Sequence, residues 1–145
     1  MADAQQYLRI ALEDAEFLLP SEASVSIEQR DQLTVDADGA VTAWREVRGS
    51  RWPAFYLGAD LRLARGADWQ RAIFLDYEPY PLGLIADEVQ LMPRAEVQIE
   101  PFYPLGPRAT PVGPLFSGAW MRDQKMVLVF EPNALVSYLH KLWNA

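Results

Sequence analysis

The stretch Arg71–Met92, RAIFLDYEPYPLGLIADEVQLM, decides the fold. It reads as two apolar strands, Arg71–Tyr77 and Leu82–Met92, joined by a turn that holds Pro79 and Pro81. Proline lacks the amide that a ladder needs, so both fall where a missing donor costs least. Side chains of a strand alternate between two faces. In the second run Leu82, Leu84 and Ala86 share one face, and Ile85, Asp87, Val89 and Leu91 share the other. Apolar residues on both faces predict packing between layers, with Asp87-Glu88 near a strand end. A mainly β chain follows. Nothing attached to these strands looks like a reaction centre, so the chain is expected to hold partners rather than to turn over a substrate.

Similar signals extend outward in both directions. Tyr7–Leu12 and Phe17–Leu19 frame LEDAE, which reads either as a short helix or as a hairpin turning at Glu13-Asp14. Val25–Ile27 alternates, and Leu33–Val35 leads into DADG at Asp36–Gly39, with Ala40–Trp44 as the return strand. That Asp-x-Asp-Gly has the look of a calcium loop, but the rest of the twelve-residue ligand pattern is missing and a hairpin turn is the better reading. Trp52–Leu57 is apolar, and Pro53 near its start places it at a strand start or a sheet edge. Pro93–Pro114 is proline-rich and reads as a stiff extended connector, with Val97 and Ile99 in a short edge strand. Phe116–Met121 and Lys125–Glu131 form a closing hairpin around Arg122-Asp123-Gln124. Leu135, Tyr138, Leu139 and Leu142 then recur at helical spacing in Ala134–Trp143, a terminal helix laid over the strands.

At 145 residues the chain, 1–145, is one domain, or two small lobes sharing a core. Apolar residues make up 50%, enough for a real core. The net charge of −7 repels phosphate backbones and anionic lipid, which argues against nucleic-acid binding. Cysteine is absent, so no disulfide, thiolate nucleophile or sulfur ligand exists. MADAQQ lacks the basic and apolar regions of a secretory signal, and no run approaches the roughly 18 residues of a membrane span. The expected setting is the cytoplasm, without direct membrane insertion.

The usual catalytic elements are missing as well. His140 is the sole histidine and cysteine is absent, so a closed zinc site is not expected, and the histidine's place late in a helix suits the dipole there. Ser117 in FSGAW lacks the glycines of a nucleophile elbow, and GPRATPVG at Gly106–Gly113 is no phosphate loop. No cofactor or metal is implied. An enzyme would have to be built from Asp60, Asp76, Glu78, Asp87 and Glu88, the carboxylates in or beside the central strands. Solvated strand caps are the plainer explanation for those acids. The short basic cluster Arg45, Arg48 and Arg51, beside Trp44 and Trp52, is a candidate contact patch, because aromatics and arginine carry much of the energy of interfaces.

Taken in order, these segments resemble the CheW-like family of chemosensory adaptors. LGLIADEV, Leu82–Val89, is similar to the family's strand of glycine, apolar residues and Asp-x-Val. LFSGAW at Leu115–Trp120 and KMVLVFE at Lys125–Glu131 resemble its closing strands. VRGSRWP at Val47–Pro53 has the spacing of its Leu-Arg-Gly-x-x-x-Pro signature, and AFYLGADLR at Ala54–Arg62 follows as the family's run ending in Asp-Leu-Arg. The resemblance implies two small SH3-like five-stranded barrels sharing a core, with a C-terminal helix. It also implies a non-catalytic scaffold that couples a chemoreceptor signalling tip to the regulatory domain of a CheA-type histidine kinase. Partner contacts would fall near Arg48 and Gly49, with Arg45, Arg51 and Trp52 beside them and Gly83 and Gly118 keeping neighbouring strands free of side chains. Val47 stands for the signature leucine, and the 28–46 region is shortened; these departures imply a divergent member, which either serves a specialised array such as one governing twitching pili or has lost the adaptor role. A β-barrel module for another regulatory or pilus-related partner is the alternative from the same strands.

Overall fold

The structure, a computed structural model, describes residues 6–36, 39–66, 68–93, 96–102 and 114–144. The reversal expected at Asp36–Gly39 lies partly outside these residues, and GPRATPVG at Gly106–Gly113 lies wholly outside them. In YLRIAL the period-two residues Leu8, Ile10 and Leu12 are all buried in the strand they form, β1 (Tyr7–Leu12). Strand β2 (Ala15–Pro20) returns antiparallel to it, with Leu12 opposite Ala15, so the Glu13-Asp14 segment is a hairpin turn and not a helix. A single 3-10 turn, Ser21–Ala23, then carries the chain into a second sheet.

That second sheet is built from β3 (Ser24–Gln29), β4 (Thr34–Val35), β5 (Ala43–Val47), β6 (Ser50–Tyr56), β7 (Arg71–Leu75) and β8 (Leu82–Ala86). The chain returns to the first sheet through β9 (Glu88–Leu91), β10 (Ile99–Pro101), β11 (Phe116–Arg122) and β12 (Lys125–Phe130). The strand orders are β10-β11-β12-β2-β1-β9 and β3-β7-β8-β6-β5-β4. Each is two antiparallel triplets joined by one parallel pair, β12 with β2 in the first lobe and β6 with β8 in the second. The protein is thus mainly β, with two lobes of SH3-like barrel type. Each counts six strands when its short edge strand, β10 or β4, is included.

Three apolar clusters follow from the alternation. The central one lies between the sheets and takes Leu8, Ile10 and Leu12 from one side and Ile73, Leu82 and Leu84 from the other. The opposite faces fill the lobes: Leu18, Trp120, Val127 and Val129 in the first, and Tyr56, Trp69, Phe74 and Ile85 in the second. Burying one such aliphatic or aromatic side chain stabilises by about 1.5–3 kcal/mol. The two faces of β8 therefore serve two different cores, as its sequence pattern predicts.

Helix α1 (Pro132–Trp143) starts two residues earlier than its periodicity indicates. Pro132 occupies its first turn, and the Glu131 carboxylate accepts a hydrogen bond from the Ala134 amide at 2.7 Å. Leu135, Val136 and Leu139 close the central cluster. Farther along, the Tyr138 hydroxyl donates to the Leu61 carbonyl. Trp143 packs on Trp44, Phe55 and Tyr80, with ring centroids 6.1–6.2 Å apart, so the helix ties the first lobe's last strand to the second lobe.

Two expectations are corrected. Leu82–Met92 is not one strand: it breaks at Asp87, where the chain leaves the second sheet and enters the first. Pro53 is neither at a strand start nor on an edge strand, because β6 lies between β5 and β8. It is tolerated because the pairing of β6 with β8 begins one residue later, at Ala54 opposite Gly83. A Cβ at Gly83 would lie 2.8 Å from the Phe74 ring and 2.9 Å from the Ala54 Cβ. We therefore expect Gly83→Ala to overpack the second lobe and cost about 1–3 kcal/mol, read as a lowered urea midpoint at unchanged slope.

Candidate functional site

The segment singled out by its charges and aromatics forms the β5–β6 hairpin. Val47 lies opposite Ser50, so Arg48-Gly49 is a two-residue loop, and both residues have positive φ, 40° and 85°. This is the geometry of a type I′ turn. Glycine meets it without strain, whereas arginine does not, and asparagine or glycine would serve better if only the turn mattered. The Arg48 side chain is exposed and makes no hydrogen bond or ion pair with any described residue.

The other two arginines of the cluster are not available in that way. Arg45 lies opposite Trp52, and its guanidinium sits 4.8 Å from that ring's centroid. It also pairs with Glu28 at 3.1 Å and donates to the Ser26 hydroxyl at 3.1 Å. Glu28 and Ser26 belong to β3, which is not a neighbour of β5 in the sheet, so Arg45 spans the mouth of the second lobe and holds its two sides together. This also accounts for β3, which turns its polar residues inward and leaves Val25 and Ile27 exposed. Arg51 lies opposite Glu46, pairs loosely with it at 3.8 Å, and covers Trp44 at 4.3 Å. Alternation along the hairpin places Arg45 with Trp52 on one face and Arg51 with Trp44 on the other. The three arginines are not one patch: Arg48 stands at the tip, with one arginine on either side of the ribbon.

The two glycines expected near the contacts are packed inside the lobes. Gly83 lies in the middle of β8. Gly118 is buried in β11, where a Cβ would fall 2.6 Å from the Glu100 carbonyl oxygen and block the approach of β10. Both support the surface without forming part of it.

The carboxylates are spread out. Asp60 accepts from the Arg62 amide in its own loop, while Asp76 and Glu78 stand in the β7–β8 connection. Asp87 and Glu88 border a polar groove of ≈ 610 Å³ together with Arg30, Asp31, Gln70 and Arg71. Asp87 is already engaged: its two oxygens accept from the Tyr56 hydroxyl at 3.0 and 3.2 Å, and Oδ2 also accepts from the Glu13 amide at 2.9 Å. Glu88 faces Arg9 at 3.5 Å. Asp60, Asp87 and Glu88 are thus engaged by protein groups, whereas Asp76 and Glu78 are exposed and do not border that groove. Nor do three or more acidic or histidine side chains among the described residues gather into a metal site.

Asp87 instead acts as a bolt, a role the sequence pattern did not disclose. It sits at the sheet crossing, its amide donates to the Ala11 carbonyl, and its carboxylate joins Tyr56 of the second lobe to the β1–β2 turn of the first. Glu13 extends the link, accepting from the Ala59 amide at 2.9 Å. Burial, with Asp87 as hydrogen-bond partner and as nearby charge, pushes the Tyr56 phenol up to about 12.

Two lobes joined at the Asp87 crossing, with an exposed arginine on a left-handed turn that is unpaired among the described residues, make up a β-barrel module. The CheW-like domain family model matches residues 6–140, and the chain belongs to that family. No curated protein sequence matches closely enough to name a relative. The structure is similar to the scaffolding protein TtCheW from Thermoanaerobacter tengcongensis, with a TM-score of 0.57 and 17% identity, over 89% of this chain and 90% of that one. No helix among the described residues is long and apolar enough to cross a membrane.

Two outcomes follow from the bolt. Asp87→Ala strands a buried hydroxyl and the Glu13 amide, and should cost on the order of 3 kcal/mol in chemical denaturation. The Tyr56 phenol has a pKa raised from 10.0 to about 12, so folding favours its neutral form. The stability this contributes is complete below pH 10 and is lost as pH rises toward about 12. Tyr56→Phe should flatten that alkaline loss and remove one late step from an ultraviolet tyrosinate titration.

Proposed function

We propose that this protein is a non-catalytic cytoplasmic scaffold that couples a chemoreceptor signalling tip to the regulatory domain of a CheA-type histidine kinase. Family membership supports the adaptor role in general terms, and one observation carries the choice of surface. Arg48 occupies a left-handed turn position that suits arginine poorly, and it spends its charge on nothing within the described residues. Unusual backbone held at an exposed charged residue points to selection for what that side chain contacts. Its guanidinium offers a planar set of donors to a carboxylate on a partner. Gly49 completes the turn, while Arg45, Arg51 and Trp52 fix the ribbon that carries it. In this reading the two lobes act as one domain, since the helix and the Asp87 bolt transmit any load on the hairpin to the whole body.

Calorimetric titration with the regulatory domain of a CheA-type kinase tests this. Wild-type protein should bind saturably, and Arg48→Glu should weaken binding by about 2 kcal/mol or more while leaving the circular-dichroism spectrum unchanged. Unchanged affinity in the variant would remove Arg48 from the interface. Lack of binding by wild type to any such domain would shift the reading to a β-barrel module for another regulatory or pilus-related partner.

A further inference from the structure

The two lobes share one plan, but their parallel junctions differ. In the second lobe β8 pairs with β6 at Gly83, Leu84 and Ile85, three of its five residues. In the first lobe β12 and β2 each have six residues, yet they pair only at Leu128 with Phe17 and at Val129 with Leu18. Continuing that register toward the hairpin turns would bring Lys125 opposite Asp14. The two charges do not form an ion pair, because the strands have parted before that level. Between them lies a wedge-shaped groove of ≈ 510 Å³ bordered by Asp14–Phe17 on one strand and Lys125–Leu128 on the other.

Two kinds of group are left without a partner there. Backbone donors and acceptors along the facing edges of Ala15–Glu16 and Lys125–Val127 have no strand beside them, and such edges are templates for another strand. The lining mixes charged Asp14, Glu16 and Lys125 with apolar residues, of which Ala15, Phe17, Met126 and Leu128 share one face of the two strands. At its rim Met121 and Met126 face each other across the β11–β12 hairpin and are 54% and 61% exposed, the most exposed large apolar side chains described. Methionine's flexible thioether suits surfaces that adapt to a ligand.

We propose that this wedge accepts an extended segment of a partner protein, which adds as a strand between β2 and β12. Unpaired backbone on both walls calls for an extended chain rather than a helix, and the apolar face of Ala15, Phe17, Met126 and Leu128 calls for apolar side chains at alternate positions. Asp14 and Lys125, both without ion-pair partners among the described residues, flank the mouth and suit a basic and an acidic residue at that end of the segment. This inference rests on the fold alone, and Arg48 plays no part in it.

The test is a titration of isotope-labelled protein with a blocked peptide of alternating valine and threonine that carries one lysine and one glutamate at one end. Saturable shifts confined to the amides of Ala15, Glu16, Met126 and Val127 and the methyls of Met121 and Met126 are expected. Met126→Asp, at an exposed position, should keep the fold and weaken binding by about tenfold or more. No shifts at millimolar peptide, or shifts centred on the β3 or β9 edges, would overturn the proposal. So would concentration-dependent dimerisation of the protein alone that Met126→Asp abolishes, since the wedge would then be filled by a second copy.

Discussion

Between Ala86 and Glu88 the chain leaves one sheet and enters the other, and the Asp87 carboxylate fixes that crossing. Its donors are divided between lobes: the Tyr56 hydroxyl comes from one and the Glu13 amide from the other. Everything downstream inherits the result. Strand β9 can pair with β1 only because the crossing sets its register, and the central cluster can close only because both sheets present their apolar faces at the same level. Tyr56 is buried, and a hydroxyl without a partner there would cost more than the bond itself contributes. That asymmetry makes the carboxylate a constraint on the fold.

Charge in this protein is divided between internal and external tasks. Each lobe has an Arg–Glu pair on its own polar side: Arg9 with Glu16 at 2.7 Å in the first, Arg45 with Glu28 at 3.1 Å in the second. These pairs are largely shielded and join strands, so their loss would leave a poorly solvated charge behind. Arg48 differs from them only in being at the tip of a two-residue turn, where no other strand is within reach. Position in the hairpin separates a residue that holds the lobe together from one that can meet a partner.

Much of this was legible in the sequence. The period-two alternation of YLRIAL and LGLIA marks faces that are indeed buried against different clusters, and the helical spacing of Leu135, Leu139 and Leu142 marks α1. The collinear order of short strand motifs was enough to point to the family, and the family model agrees. What was not legible depended on long-range pairing. The break at Asp87 leaves a local signal, two successive acids across which the apolar phase moves from Ala86 to Val89, but the change of sheet is revealed only by the partners of the strands on either side. Pro53 reads as an edge marker because sequence does not show where pairing with a later strand begins. Arg45, Arg48 and Arg51 look like a cluster because spacing along a chain does not show which side of a ribbon each faces. The exposed pair Met121 and Met126 had a signal that went unused: the two are placed symmetrically about the Arg122–Lys125 turn and are therefore neighbours in any hairpin closed there.

The central claim is that the free arginine on the β5–β6 turn is the contact point of a kinase scaffold. The most direct test is to follow the amide and arginine side-chain resonances of the labelled protein while adding the regulatory domain of a CheA-type histidine kinase. The account predicts that the largest changes fall on Val47–Ser50 and the Arg48 guanidinium, with Arg45 and its Glu28 pair little affected. Changes that spare the turn while binding occurs would contradict it.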